Sequence, residues 1–329
     1  MKNIDHKLQI LELFGGIGSP RIALKNLNIP VKSIDYVEID EKAVRSYNAM
    51  FADEIAYDTQ TVVGWNLKPD ILIHGSPCQD FSIAGHQKGA DEGSETRSSL
   101  MWETVHIIEQ MDEWKPKIVI WENVKNVLSK HMKHNFKRYL DYMNKLGYTN
   151  NYEVLDARDF GLPQARERVF TVSILGNEQF NFDLMQKTPM ASIDDFLEDE
   201  TPDYYTVRQP SMLKKITTIS KSMSVPIIKD YAMTITCKQM RCPNSGVIEL
   251  EDGGYRYLTE RECWRLQGYS DEDFEAALAV HPGRKGCLNG AMYKQAGNSI
   301  PVSIFESMFK VMIPKFFNNI VSCKNTERM

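Results

Sequence analysis

Over the first 175 residues, short apolar runs alternate with stretches in which apolar side chains recur at helical spacing. The runs at 8–14, 33–39, 70–75, 117–121 and 169–175 have the length and composition of buried strands. The stretches at 41–51, 98–110 and 135–146 present one apolar stripe each and predict helices. Gly147 follows the last of these where a left-handed residue commonly ends a helix. Strands that are apolar along their whole length need cover on both faces. The alternation therefore predicts an α/β fold with a parallel or mostly parallel sheet between helices.

The pattern changes after Gly176. Residues 177–258 are polar and rich in Thr, Ser and Lys, with short β-prone pieces at 231–236 and 246–250. This stretch is expected to form a separate, smaller domain. Helical spacing returns at 259–266, where Thr259 and Glu262 have the separation of a capping box. A further helix is expected at 302–309, after Pro301. The chain is thus expected to divide into a discontinuous domain (1–176 with 291–329), a second domain (177–258) and a hinge (259–290).

Composition narrows the class. The chain has 329 residues, 42% of them hydrophobic, enough for one large core and a smaller one. No run approaches the roughly 18 apolar residues that a membrane span needs. The first eight residues carry charge and no apolar run, so no secretory leader is expected. The six cysteines (Cys78, Cys237, Cys242, Cys263, Cys287, Cys323) form no Cys-x-x-Cys pair, so neither a zinc site nor a disulfide framework is expected, and a reducing cytoplasm fits best. The net charge of −5 argues against a nucleic-acid partner on average. Its distribution argues otherwise: 204–246 carries seven Lys or Arg and one acid, and 125–138 carries five Lys or Arg and none. Such tracts can be plain solvated faces, or they can bind phosphates.

The first strand runs straight into Phe14-Gly15-Gly16-Ile17-Gly18-Ser19-Pro20. Glycines there permit a tight turn and close approach of a ligand; Ser19 is expected to cap the following helix, with Pro20 at its first position. Glu38 lies 20 residues after Gly18, the distance at which an acid holds a ribose in nucleotide-binding α/β folds. The turn lacks the Lys of a phosphate loop, and Arg21 stands where a dinucleotide site prefers a third glycine. A nucleoside-bearing cofactor without a pyrophosphate is the better fit.

The third strand empties into Ser76-Pro77-Cys78-Gln79. A lone Cys is more often a small buried hydrophobe. One in a Pro-restrained loop at the carboxyl end of a strand, beside a cofactor turn, reads as a nucleophile. Glu122 closes the next buried run; it is either an ordinary paired acid or a proton donor kept neutral by burial. Arg166 and Arg168 alternate just before the last strand and so face one side of an extended chain, able to hold a carbonyl or Glu122.

These residues carry a resemblance. Phe14-Gly-Gly-Ile-Gly18, Ser76-Pro-Cys-Gln79, Glu122-Asn-Val124, Gln164-Ala-Arg-Glu-Arg168, Arg261-Glu-x-x-Arg265-Leu-Gln-Gly268 and Gly297-Asn-Ser299 occur in the order seen in DNA (cytosine-5)-methyltransferases. The match covers about 8–175 and 256–310. The resemblance implies a Rossmann-like S-adenosylmethionine-dependent methyltransferase sheet with a target-recognition domain at 177–258. It implies Cys78 as the nucleophile at cytosine carbon 6, Glu122 at ring N3, Arg168 on the base carbonyl and Arg166 supporting the loop. Phe14, Gly16, Gly18, Glu38, Asp58, Pro77 and Asn298 would line the cofactor pocket, with Glu38 on the ribose and Asp58 on the adenine amine. Ile39 stands where many relatives have an aromatic against the adenine, and Ser76 where a Phe is frequent.

Residues 80–99 match the family's loop that closes over the extruded base, with Gln79, Ser82, Lys88 and Arg97 expected near the DNA. The resemblance further implies double-stranded DNA as partner, no metal, a monomer, a possible companion restriction endonuclease, and the cytoplasm of a prokaryote or phage-infected host. A tRNA cytosine methyltransferase shares the machinery, but the long basic segment before Tyr255 favours duplex DNA. A DNA-binding relative without turnover is disfavoured by the intact Cys78, Glu122 and arginines. A nicotinamide oxidoreductase would leave Cys78 without a role.

Overall fold

The computed structural model describes residues 7–61, 67–76, 100–217, 225–241 and 243–318. Strands β1 (Leu8–Leu13), β2 (Val31–Val37), β3 (Ile71–His74), β4 (Ile118–Val124), β5 (Tyr148–Asp156) and, beyond the short β6 (Gln164–Ala165), β7 (Glu167–Leu175) supply the main sheet. Its order is β2-β1-β3-β4-β7-β5. The pairings of β1 with β2, β1 with β3 and β3 with β4 are parallel, whereas β7 runs antiparallel to both β4 and β5. Strand β5 has no counterpart in the hydrophobic pattern. It is an edge strand whose middle reads Thr-Asn-Asn-Tyr-Glu, and pairing to β7 along its length defines it instead.

Successive strand residues face opposite ways, and both faces are apolar. Leu8, Ile10, Ile71, Ile73, Ile118, Ile120, Phe170 and Val172 face one core, covered by α1 (Ser19–Asn26), α2 (Glu41–Met50) and later helices. Leu11, Leu13, Leu72, Val119 and Trp121 face the other, covered by α3 (Leu100–Gln110) and α4 (Lys133–Lys145). This is the doubly covered α/β sheet the alternation implies.

Beyond β7 the main core does not end at Gly176. Phe180, Phe182, Met185 and Ile193 join it, as do Ile228, Ala232 and Ile235. A third, small core contains Tyr205, Val207, Met212, Ile216, Val247 and Tyr257. It is built on α5 (Pro210–Thr217) and an antiparallel pair, β9 (Val247–Glu249) with β10 (Tyr255–Tyr257). Between them, β8 (Ala232–Met233) pairs with β6 and ties this stretch to the sheet domain. Helix α6 (Glu260–Arg265) starts at the expected capping box: the Thr259 hydroxyl accepts from the Glu262 amide and the Glu262 carboxylate accepts from the Thr259 amide. Helices α7 (Asp271–Val280), α8 (Gly290–Asn298) and α9 (Val302–Phe316) return the chain to the first core. Among the described residues no helix is long and apolar enough to cross a membrane, and no group of three or more His, Cys, Asp or Glu could hold a metal ion.

Candidate active site

The turn after β1 is held by short-range bonds. Phe14, Gly16 and Gly18 all have positive φ, at 55°, 55° and 76°. Phe14 in that region is a strained non-glycine residue, a feature that clusters at ligand sites. The Gly16 amide donates to Glu38 Oε2 at 3.0 Å, and the Tyr36 hydroxyl donates to the Gly16 carbonyl at 2.6 Å. The other Glu38 oxygen accepts from the Ile39 and Asp40 amides, both at 2.8 Å. Glu38 is therefore oriented by three backbone donors. Gly18 must be glycine twice over, because a Cβ there would lie 2.6 Å from the Tyr47 ring as well as at unfavourable φ.

Ser19 is not the helix cap. Gly18 occupies that position in left-handed geometry with no side-chain cap, so α1 starts one residue earlier than the Ser-Pro pair suggests. The Ser19 hydroxyl instead shares hydrogen bonds with the Tyr269 hydroxyl at 2.7 Å and the Ser299 hydroxyl at 3.1 Å. It fastens the turn to the returning chain.

Glu122 is not a strand terminus either. Strand β4 runs on to Val124, and Glu122 stands opposite Phe170 of β7. On its other side β3 has ended, since His74 pairs with Trp121. The carboxyl thus lies beside Gly75, within 3.6 Å of where a Cβ on Gly75 would stand. Glu122 is only 9% exposed, and Arg168 Nε meets its Oε1 at 3.1 Å. Burial raises its pKa, opposed by Arg168 and then Arg166. Burial wins, so the acid keeps a proton to higher pH than usual.

Arg166 points toward two distant segments of chain, around 235 and 297–299. Its guanidinium donates to the carbonyls of Ile235 at 2.9 Å, Gly297 at 3.1 Å and Ser299 at 2.6 Å. At that crossing Gly297 meets backbone directly: a Cβ would be 2.2 Å from Cys237 N and from Thr236 C. No side chain fits there. This explains the glycine of the Gly-Asn-Ser triplet.

One cleft joins these parts, lined by Glu12, Phe14, Gly15, Gly16, Gly75, Glu122, Asn298 and Ile300 among others. Glu38 lies behind the turn and Ile39, 73% exposed, beside it. Asp58 is exposed and accepts from the Thr59 amide at 2.7 Å; the nearby Gln60 amide donates to the Glu38 carbonyl at 2.8 Å. Pro77, Cys78, Gln79, Ser82, Lys88 and Arg97 lie outside the described residues. The approach to Cys78 is visible as far as Ser76, which is buried. Its hydroxyl accepts from the Trp121 indole at 3.1 Å and its carbonyl from Asn123 Nδ2 at 3.3 Å. Neither contact follows from spacing. The cross-strand register of β3 and β4 is the signal that would reveal them.

A doubly covered sheet with a glycine turn, a ribose-spaced acid and a buried acid across one cleft is that of a Rossmann-like methyltransferase. The chain belongs to the C-5 cytosine-specific DNA methylase family, whose model matches residues 8–314, and it is a DNA (cytosine-5)-methyltransferase. It is 36% identical over 316 residues to the type II methyltransferase M2.ScrFI of Lactococcus lactis subsp. cremoris, covering 87% of this chain and 80% of that protein. It is 24% identical to the orphan methyltransferase M.SPRI of Bacillus phage SPR, over 95% of this chain and 99% of that one. Among solved structures, S. pombe Dnmt2 methyltransferase superposes with a TM-score of 0.75 at 19% identity, covering 94% of this chain and all of that one. A putative DNA modification methyltransferase from an E. coli prophage superposes with a TM-score of 0.68 at 17% identity, covering 96% of this chain. These two likenesses establish the shared fold.

Proposed function

We propose that this enzyme methylates cytosine within a specific sequence of duplex DNA through a covalent adduct on Cys78, with S-adenosylmethionine as donor. The observation that carries the reading is the buried Glu122–Arg168 pair on the cleft that also contains the glycine turn. Cys78 follows the anchored Ser76 by two residues, a chain length of at most about 7 Å.

The cleft residues suit the cofactor. Three backbone donors orient Glu38 and leave acceptor capacity on Oε2 for a ribose hydroxyl. Ile39 offers an exposed apolar surface for the adenine, Asp58 an acceptor for its amine, and Phe14, Gly16 and Asn298 line the cleft; Gly18 and Pro77 are assigned to the cofactor side on the family resemblance. When bound, the cofactor supplies an electrophilic methyl group.

The chain's own residues do the rest. The extruded base is held at N3 by Glu122, which gives up its proton as the Cys78 thiolate adds to carbon 6. Arg168 keeps the Glu122 carboxyl in place and reaches the base carbonyl. Addition makes carbon 5 electron-rich and able to accept the methyl. Loss of the carbon-5 proton to solvent, departure of the thiolate and return of the N3 proton to Glu122 restore the ring double bond and the enzyme. Arg166 supports this region through the junction carbonyls. Gln79, Ser82, Lys88 and Arg97 are assigned to the DNA side.

We assign catalysis to 1–176 with 291–329, target recognition to 177–258, centred on its separate small core, and the hinge to 259–290. We assign the enzyme to the cytoplasm as a monomer that acts either alone or beside a companion restriction endonuclease. Labelled S-adenosylmethionine supplied with duplex DNA, tRNA or neither tests the reading. Label is expected in duplex DNA alone; transfer to tRNA or to no substrate would overturn it. Exchanging 177–255 for a relative's segment is expected to change the methylated sequence, and an unchanged target would place recognition elsewhere.

A further inference from the structure

The cleft contains a second buried acid that the mechanism above does not use. Glu12 lies on β1, opposite Tyr36 of β2, and is among the residues lining the cleft. Its Oε2 accepts the Tyr47 hydroxyl proton at 2.6 Å, and its Oε1 is buried without a hydrogen-bond partner. Arg21 does not meet the carboxyl. Its Nη1 donates to the Tyr47 hydroxyl at 2.9 Å and its Nη2 pairs with Glu54. A buried carboxyl with one oxygen left unmet is costly.

The charged and titratable groups around Glu12 come from every neighbouring element. Arg21 on α1 is the nearby cation. Tyr36 on β2, Tyr47 on α2, Tyr57 beyond α2 and Tyr269 beyond α6 all interact with it electrostatically, and each has its own pKa raised by burial, so all four stay neutral. Burial lifts the Glu12 pKa to about 7, against the lowering effects of Tyr47 and Arg21. The acid therefore changes charge within the working range; the other titratable acid on this cleft is Glu122 of β4, also raised by burial but paired with Arg168.

We propose that Glu12 reads the charge on the cofactor's sulfur, its carboxylate favouring the cationic methyl donor over the neutral product S-adenosylhomocysteine. This rests on the cofactor reading above. A carboxylate in a low-dielectric wall attracts a sulfonium and gains nothing from a thioether. By linkage the sulfonium must in turn drive the proton off Glu12. Donor binding then expels a proton and strengthens as pH rises, whereas product binding does neither. After transfer the loss of that attraction helps the product leave.

Titration calorimetry on the full chain tests this, with S-adenosylmethionine and S-adenosylhomocysteine as ligands, at pH 6 to 8, in two buffers of different ionisation heat. The donor's own amine titrates near pH 8, so the comparison with Glu12→Gln is the readout. At pH 7 the wild type is expected to release about half a proton more than Glu12→Gln on binding donor, and no more than the variant on binding product. Between pH 6 and 8 the wild type's donor affinity is expected to gain up to about tenfold over the variant's. Equal proton release in the two proteins, or equal behaviour of the two ligands, would overturn the proposal. Tyr47→Phe keeps the carboxyl and removes its hydrogen-bond donor. It should move the midpoint of proton release to higher pH; an unmoved midpoint would also count against Glu12. If neither ligand bound the wild type, the cofactor reading beneath the proposal would fall.

Discussion

The two walls of the cleft are held together in different ways. On the glycine-turn side, Gly15, Gly16, Tyr36 and Glu38 bond to one another and to adjacent backbone within 25 residues of chain. On the opposite side, Arg166 reaches carbonyls 69, 131 and 133 residues away, and Gln164 donates to the Leu266 carbonyl, 102 residues away. Ser19 apart, the glycine-turn wall is made of neighbours, and such a wall tolerates local damage. A wall made of distant segments depends on its hub, so injury there should spread through the fold.

Four substitutions grade this contrast. Arg166→Ala strands three carbonyls in a buried junction and should cost about 4 kcal/mol of folding stability by denaturant titration. If it cost no more than Glu38→Ala, the contrast between the walls would not hold. Gly297→Ala drives a methyl into backbone at 2.2 Å and should cost about 3 kcal/mol, measured the same way. Gly18→Ala drives a methyl against the buried Tyr47 ring and also pays the left-handed penalty. About 2 kcal/mol is expected, together with weakened cofactor binding in calorimetry. Ser76→Ala leaves the Trp121 indole without its acceptor and should cost about 1 kcal/mol, with a larger fall in kcat than in cofactor affinity. Equal losses of kcat and cofactor affinity would mean that Ser76 serves the cofactor wall instead.

The same contrast explains what the sequence made legible. The glycine turn, Glu38, the strands facing both cores and the Thr259–Glu262 box each depend on residues a few positions apart, and each is found where spacing puts it. The exceptions are long-range. Ser19 has the look of a helix cap, yet its hydroxyl is drawn away by Tyr269 and Ser299, some 250 and 280 residues distant. The edge strand β5 takes its conformation from β7, not from its own polar sequence. The stretch after Gly176 looks polar and separate, yet single apolar residues such as Phe180 and Ile193 return it to the main core. Glu12 has no periodic or spacing signal at all, because its interest lies in an oxygen that three-dimensional packing leaves without a donor.

The pH dependence of stability should separate the two buried acids from the surface carboxylates. Glu12 has a folded pKa raised above its unfolded value, so the stability it contributes is fully present below about pH 4.5 and is lost as pH rises through about 7. Glu122 acts in the same sense. Glu12→Gln should therefore flatten the decline in thermal midpoint between pH 5 and 8, and an unaltered decline would show that the acid ionises freely.

The central claim is that Cys78 bonds to the base. Duplex DNA carrying 5-fluorocytosine at the target, incubated with the enzyme and S-adenosylmethionine, should yield a stable protein–DNA adduct that peptide mass spectrometry maps to Cys78. Cys78→Ala should give none while still binding the cofactor. An adduct that persists in Cys78→Ala, or one mapped to another residue, would contradict the account.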